Sequence, residues 1–214
     1  MCSNRVCARS TTESASSVGA DVRPVGLRTP RLVLDEPVLA DADLVTRYCQ
    51  DPLFEQYLTT PWPYTRSDAE LFLGMHVPES WASGTELTWA IRTIEGGPLL
   101  GVISVRDGEH ELGFWMGAEH RGAGYMSEAA IAVVEWVLGG GIRSARSLRW
   151  RAVEGNVASA RVARAAGFRR VDPVEPTVPA RGGAGTLPAW HAVRTSAPDA
   201  AALASWTSIL GDAA

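Results

Sequence analysis

Apolar positions along the chain fall into short runs at strand and helix spacings, separated by proline- and glycine-rich breaks. Leu27 to Leu34 reads as a first strand, with Pro30 tolerated near a sheet edge. Asp41 to Gln50 reads as a short amphipathic helix. Leu58 to Tyr64 is a proline-punctuated loop, and Ser67 has the character of an N-cap for a helix running through Trp81. Pro78 is expected to end that helix or break its last turn. Glu86–Ile94 and Leu99–Arg106 form a strand pair joined by the turn Glu95-Gly96-Gly97-Pro98. A further strand, Leu112–Met116, leads through a glycine turn into a proline-free helix, Tyr125–Leu138, closed by Gly139-Gly140-Gly141. Leu148–Val153 is the next strand, followed by a helix from Asn156 that Gly167 stops. Phe168 opens a strand to about Val174. Residues 173–188 form a Pro/Gly-rich surface connection, Ala189–Ser196 is the last strand, and Pro198–Leu210 reads as an appended helix with Leu203, Trp206 and Leu210 on one face. The predicted order is β-α-α-β-β-β-α-β-α-β-β.

Length and composition narrow the class. The 214 residues suit one domain with tails: a leader over 1–24, a domain over 25–196 and a C-terminal helical extension over 197–214. The leader is rich in Ser, Thr and Ala, shows no periodicity, and is expected to be disordered; it lacks the apolar run of a signal peptide. No stretch is apolar and long enough to span a membrane, and a formal charge of −4 makes no case for a nucleic-acid partner. All 20 basic residues are arginine. Cys2 and Cys7 lie in the leader and Cys49 in a helix, without the spacing of a metal site or disulfide framework, so no metal is expected.

The chemistry concentrates between Glu111 and Ala132, where a strand passes through Arg121-Gly122-Ala123-Gly124 into a helix. The first turn of a helix offers unpaired N–H groups at the positive end of the macrodipole, and glycines let a ligand approach the backbone closely. Such a turn suits phosphate or pyrophosphate. It is not a P-loop, since no G-K-[ST] follows and the chain has no lysine, and it is not the G-x-G-x-x-G dinucleotide fingerprint. Arg121, Gly122, Ala123, Gly124 and Tyr125 resemble the [QR]-x-x-G-x-[GA] acyl-CoA pyrophosphate loop of the GNAT N-acetyltransferases. Met126 departs from that family's Gly or Ala at the last position. The string R-G-A-G-Y-M-S-E-A is most similar to the RimJ/RimL-type branch. Asn156, Ser159 and Gly167-Phe168 resemble the N-x-x-S-x-x-x-x-x-x-x-G-F segment of the same family, and L-x-T-x-R-L-x-L at 27–34 resembles the opening of its RimJ/RimL-type chains.

The resemblance implies the GNAT acyl-CoA N-acyltransferase fold, α/β (α+β), with a mixed, largely antiparallel sheet flanked by helices. It implies acetyl-CoA as donor and a primary amine as acceptor, either a protein N-terminus or a small amine, joined by direct attack. Met116, Arg121 to Met126, Asn156 and Ser159 are then the expected cofactor contacts. Glu111 is the first candidate base, beside its plain reading as a solvated strand-end charge. Ser159 is the hydroxyl left to serve the leaving thiolate, because no tyrosine occurs from Asn156 to Phe168. Glu128, in the first turn of the motif helix, reads as favouring the helix dipole or as a structural contact, and His110 and His120 as surface residues. Among the aromatics, Trp62, Trp89 and Trp115 are candidates for the acceptor pocket, with core packing as the alternative. Two competing readings are an antibiotic- or polyamine-directed acetyltransferase, which an acidic pocket would favour, and a non-catalytic acyl-CoA sensor. A cytoplasmic location is expected, and a homodimer through the terminal helix around Trp206 is a further possibility.

Overall fold

Pro30 has no amide hydrogen to give a ladder, and it divides the first expected strand into β1 (Leu27–Arg28) and β2 (Leu32–Asp35). The structure, a computed structural model, describes residues 24–106, 108, 110–172, 177–197 and 199–211. The expected leader, with Cys2 and Cys7, lies outside the described residues but for Pro24. Seven further strands follow: β3 (Glu86–Thr93), β4 (Gly101–Arg106), β5 (Glu111–Met116), β6 (Ser147–Val153), β7 (Arg169–Val171), β8 (Thr177–Pro179) and β9 (Thr186–Thr195). They order as β1-β2-β3-β4-β5-β6-β9-β7, with β8 on β9. Every pairing is antiparallel except β5 with β6, which run parallel and meet only at Glu111 and Arg149. Beyond that rung the two strands splay apart. The site depends on this gap.

Helices cover both faces. On one, α5 (Tyr125–Trp136) and α6 (Val157–Ala165) bury Met126, Ala129, Val133 and Ala160 against Trp89, Ile91, Ile103, Leu112 and Met116. Alanines at 129 and 130 let α5 sit close to the strands. On the other face, α1 (Ala42–Cys49) and α2 (Pro52–Tyr57) contribute Val45, Tyr48 and Phe54 to a second cluster with Ala90, Leu99 and Val102. α3 (Arg66–Leu71) runs through a π turn, Phe72–His76, into α4 (Val77–Ser83).

Several local expectations shift. Thr65, not Ser67, caps α3: it shares a reciprocal capping box with Asp68, whose carboxyl the Thr65 side chain holds below its usual value. Pro78 does not end its helix. It follows the π turn and falls in the first turn of α4, where the missing N–H is least costly, and the helix runs on to Gly84 at φ 72°. α2 was not expected; Asp51 accepts from the Leu53 amide at 2.9 Å and Pro52 starts the turn. Part of the connection at 173–188 pairs as β8 with β9, which begins at Thr186. Among its described residues the tail forms a 3₁₀ turn, Ala204–Trp206, and a short α7 (Thr207–Leu210). Trp206 is fully buried, donating from Nε1 to the Phe168 carbonyl at 2.8 Å and meeting Trp150 edge-on, whereas Leu203 is exposed. That aromatic is packed inside its own chain. Among the described residues no helix is long and apolar enough to cross a membrane.

Candidate active site

The splayed strands open a cleft of about 890 Å³. β5 and β6 form its sides, the start of α5 and α6 its far end, and α2 with residues 58–60 and β8 its roof. Arg181, from the β8–β9 turn, pins that roof by donating to the carbonyls of Phe54, Glu55, Leu58 and Thr60 at 2.7–3.1 Å.

At the far end, Gly122 and Gly124 both sit at φ 80°, a region that costs a side chain strain. An added Cβ at Gly122 would meet nothing within 4 Å. Gly124 is the N-cap of α5 and has no side chain to satisfy the first amides; the helix's first recorded bond there runs from the Glu128 amide to the Gly124 carbonyl. The amides of Tyr125, Met126 and Ser127 are therefore the orphan donors of a twelve-residue helix at the cleft wall. This arrangement fits a diphosphate. Met126, the departure from the family pattern, is tucked into the core at 7% exposure. The loop is braced from β1 and β2: Glu128 accepts from Thr29 Oγ1 at 2.5 Å and from Arg31 N and Nε at 3.0 and 2.6 Å. Burial raises the Glu128 pKa, but the bonds from Thr29 and Arg31 outweigh it and hold the carboxyl below its ordinary value. Arg31 also donates to the Ala123 carbonyl at 3.0 Å and lies over the Tyr125 ring. Thr29 and Arg31 thus give the string at 27–34 its physical meaning.

Arg121 lines the cleft, but its guanidinium is engaged within the protein. Its guanidinium donates to the Met116 carbonyl at 2.9 and 3.1 Å and pairs with Asp51 at 2.7 Å, tying the loop to β5 and α2. Its charge is offset before any ligand arrives. The cations with donors near the loop are Arg31 and, on the cleft wall, Arg161, which has no ion pair among the described residues.

Backbone alternation settles which way β5 points. Gly117 N donates to Leu100 on the β4 side and Arg149 N donates to the His110 carbonyl on the β6 side, so odd residues face β4 and even residues face β6. Past the single β5–β6 rung, the amides of Phe114 and Met116 face the gap. The Met116 carbonyl is taken by Arg121. Across the gap, Asn156 caps α6, its side chain accepting from the Ser159 amide at 3.1 Å. Ser159 Oγ accepts from the Trp150 indole at 3.1 Å, which leaves its own hydrogen free to donate into the cleft.

Glu111 is buried on the cleft floor at 8% exposure. Arg151 grips its Oε2 from two nitrogens, one at 2.5 Å, and Arg106 lies 3.6 Å from Oε1. It is an ion-paired floor residue, not a solvated strand end. Of the three pocket tryptophans, only Trp115 lines the cleft, edge-on to Phe54 and Tyr48. Trp89 is wholly buried on the opposite face against Trp81 and Trp136, its alternation with Thr88 turning it away from the cleft, and it donates to the Val25 carbonyl. Trp62 packs against the second core cluster. Around Glu111 the cleft also holds Glu86, Thr88, Ser104 and Arg106, none of which sequence motifs identified. Their signal was faint: polar residues at alternate positions of two otherwise apolar strands. Among the described residues no three His, Cys, Asp or Glu side chains group as a metal site.

Comparison with known proteins bears on the family and the fold. The family model described as an acetyltransferase (GNAT) domain matches residues 31–169. No curated protein matches the sequence. Among solved structures, the microcin self-immunity acetyltransferase MccE in complex with acetyl-CoA and AMP is 16% identical with a TM-score of 0.66, over 82% of this chain and 98% of that one. RimL, a ribosomal alpha-N-protein acetyltransferase in complex with coenzyme A, is 17% identical at TM-score 0.64, over 78% and 95%. An acetyltransferase from Agrobacterium tumefaciens is 27% identical at TM-score 0.60, over 78% and 93%.

Proposed function

The chain belongs to the GNAT acetyltransferase family, and from that premise we propose that it moves an acetyl group from acetyl-CoA to a primary amine by direct attack in the β5–β6 cleft. The observation that carries the proposal is the pairing of unsatisfied α5 amides with a strand whose Phe114 and Met116 amides are left open by the splay. Acetyl-CoA supplies the thioester carbon that the amine attacks. The diphosphate is held by the loop from Gly122 to Ser127, with Arg161 supplying charge from the cleft wall. The Met116 and Phe114 amides receive the carbonyl oxygen as it gains charge, which needs donors already aimed. Glu111 takes the amine proton, directly or through one water, while Arg151 and Arg106 hold its carboxylate in place. Ser159 donates a hydrogen bond to the departing thiolate, which takes its proton from solvent as Glu111 passes the amine proton out, and Trp150 keeps that hydroxyl turned outward.

The floor charges bear on the acceptor. Glu86 is paired with His76 and near Arg106, and Glu111 with Arg151, so among the described residues the pocket carries no surplus of carboxylate for a polycation. This favours a protein or peptide N-terminal amine, or another monoamine, over a polyamine or cationic antibiotic. The neighbours act on unlike acceptors by name, a ribosomal protein for one and a microcin-linked substrate for the other, so the fold leaves the choice to the pocket. The close ion pairing of Glu111 also supports the sensor reading, in which the coenzyme binds without turnover. Thiol release over a panel of amines and peptide N-termini separates the two. Release with at least one acceptor is the expected result; coenzyme binding with no release above hydrolysis across the panel would favour the sensor.

A further inference from the structure

The rung that crosses the acceptor end of the cleft runs Glu86–Arg106–Glu111–Arg149, from β3 to β6, and meets Val193 on β9. Residues opposite one another in a sheet project to the same face, so these four charged side chains leave the sheet together, with alternating sign. Leu148 and Trp150, on either side of Arg149, turn into the core instead, which places Arg149 on the acceptor face with Glu111. The charges do not balance. Arg106 stands between the two glutamates, 3.8 Å from Glu86 and 3.6 Å from Glu111. Arg151, one alternation further along β6, grips Glu111. Two carboxylates thus face three guanidiniums among the described residues of this end. Arg149 is the one left over: it is exposed and has no ion pair or side-chain hydrogen bond among those residues.

Beside Arg149 the surface is notched. A cavity of about 230 Å³ lies against Arg149, Arg151, Val171, His191 and Val193, and Arg151 lines both this notch and the main cleft. His191 adds no charge at neutral pH: burial lowers its pKa, and Arg151 and Arg149 push the same way, against the Thr177 carbonyl and Glu111. The positive potential of the notch therefore comes from the arginines, with Val171 and Val193 as apolar walls. Glu111 pairs with Arg106 and Arg151 rather than with Arg149, although the Cα atoms of Glu111 and Arg149 stand only one strand spacing apart, about 5 Å. A carboxylate that can take an ammonium and a guanidinium that lacks an anion are offered side by side.

Resting on the transferase reading above, we propose that Arg149 and the notch beside it bind an anionic group carried by the acceptor, a carboxylate or a phosphate monoester, while the acceptor's amine lies at Glu111. The spacing selects the length of the acceptor. Three atoms between the nitrogen and the acidic carbon or phosphorus span about 5 Å when extended. An α-amino acid, with one atom between, is too short to reach both groups. The planar guanidinium offers two parallel donors to either anion.

The test compares kcat/KM for thiol release, corrected to the free-base fraction, in matched pairs of amines. 4-Aminobutanoate is set against 4-aminobutanamide, and O-phosphoethanolamine against 2-methoxyethylamine. The wild-type protein is expected to prefer the anionic member of at least one pair by about tenfold or more, and the pair with the larger ratio identifies the anion as carboxylate or phosphate. In Arg149→Gln the anionic acceptor should lose more than its neutral partner, bringing that ratio to within about twofold, with CoA affinity and melting temperature retained. Should that variant not fold, Val193→Glu sets a carboxylate opposite Arg149 on β9 and should abolish the same ratio. Turnover of amines without preference for the anion, a preference that survives the substitutions, or one as large for glycine over glycinamide overturns the site alone. Coenzyme binding without release from any amine overturns the transferase reading and the site with it.

Discussion

Gly122 and Gly96 form a matched pair that separates backbone strain from ligand contact. Both lie at positive φ, 80° and 84°, and an added Cβ at either meets nothing within 4 Å. Gly122 lines the cleft; Gly96 lies in the turn between β3 and β4, away from it. Forcing alanine into this region costs roughly 1–2 kcal/mol, of which about 0.4–1 kcal/mol returns through the stiffer unfolded chain. Each variant should therefore lose about 1 kcal/mol of stability, roughly 2–4 °C in a protein of this size. Their coenzyme affinities should differ. On the proposed placement, a methyl at 122 meets the diphosphate and displaces at least one charge-assisted bond, worth about 1.5–3 kcal/mol, so CoA binding should weaken about ten- to a hundredfold. Gly96→Ala should bind as the wild type does. Thermal melts and calorimetric titration with CoA measure both quantities. Equal affinity in the two variants would refute the placement of the diphosphate, even with the strain correctly accounted for.

Replacing Ser159 by alanine removes the donor that Trp150 orients, and kcat should fall about ten- to a hundredfold with little change in KM for acetyl-CoA; an unchanged kcat in steady-state kinetics would remove Ser159 from the mechanism. Trp206→Ala empties a fully buried site and should cost about 3–5 kcal/mol by denaturant unfolding; a stable variant that only changed oligomeric state would contradict its intramolecular packing. For Glu128, the folded-state pKa lies below the ordinary value, so the carboxylate's contribution is fully present above about pH 4.3 and is lost as pH falls through the folded value. The stability gap between wild type and Glu128→Gln, followed by urea unfolding from pH 7 to pH 3, should narrow at the acid end; a constant gap would show that the Thr29 and Arg31 bonds do not depend on the charge.

Local signals carried most of the fold because they are local physics. The hairpin turn between 86–94 and 99–106, the glycine turn and the proline-free run after it each specify an element without help from distant residues. The glycine loop before α5 was legible for the same reason, since free amides and positive φ are properties of consecutive residues. Arg121 shows where that stops: its motif position is plain, but Asp51, seventy residues away, decides which way its guanidinium turns. Glu111 likewise reads as a strand-end acid until Arg106 and Arg151 are brought beside it by two neighbouring strands. Trp89 and Trp115 look alike in sequence and lie on strands, and only sheet register sends one into the core and the other to the cleft. The Glu86–Arg106–Glu111–Arg149 rung and the four carbonyls on Arg181 are tertiary pairings, invisible to spacing. α2 was a true omission, because Asp51-Pro52 carries an ordinary helix-start signal.

Backbone amide NMR during titration with CoA tests the central claim most directly. The account predicts that the amides from Gly122 to Ser127, together with Phe114 and Met116 on β5, move furthest and saturate with one dissociation constant. Saturable binding whose shifts fall elsewhere, or no binding at millimolar CoA, would contradict it.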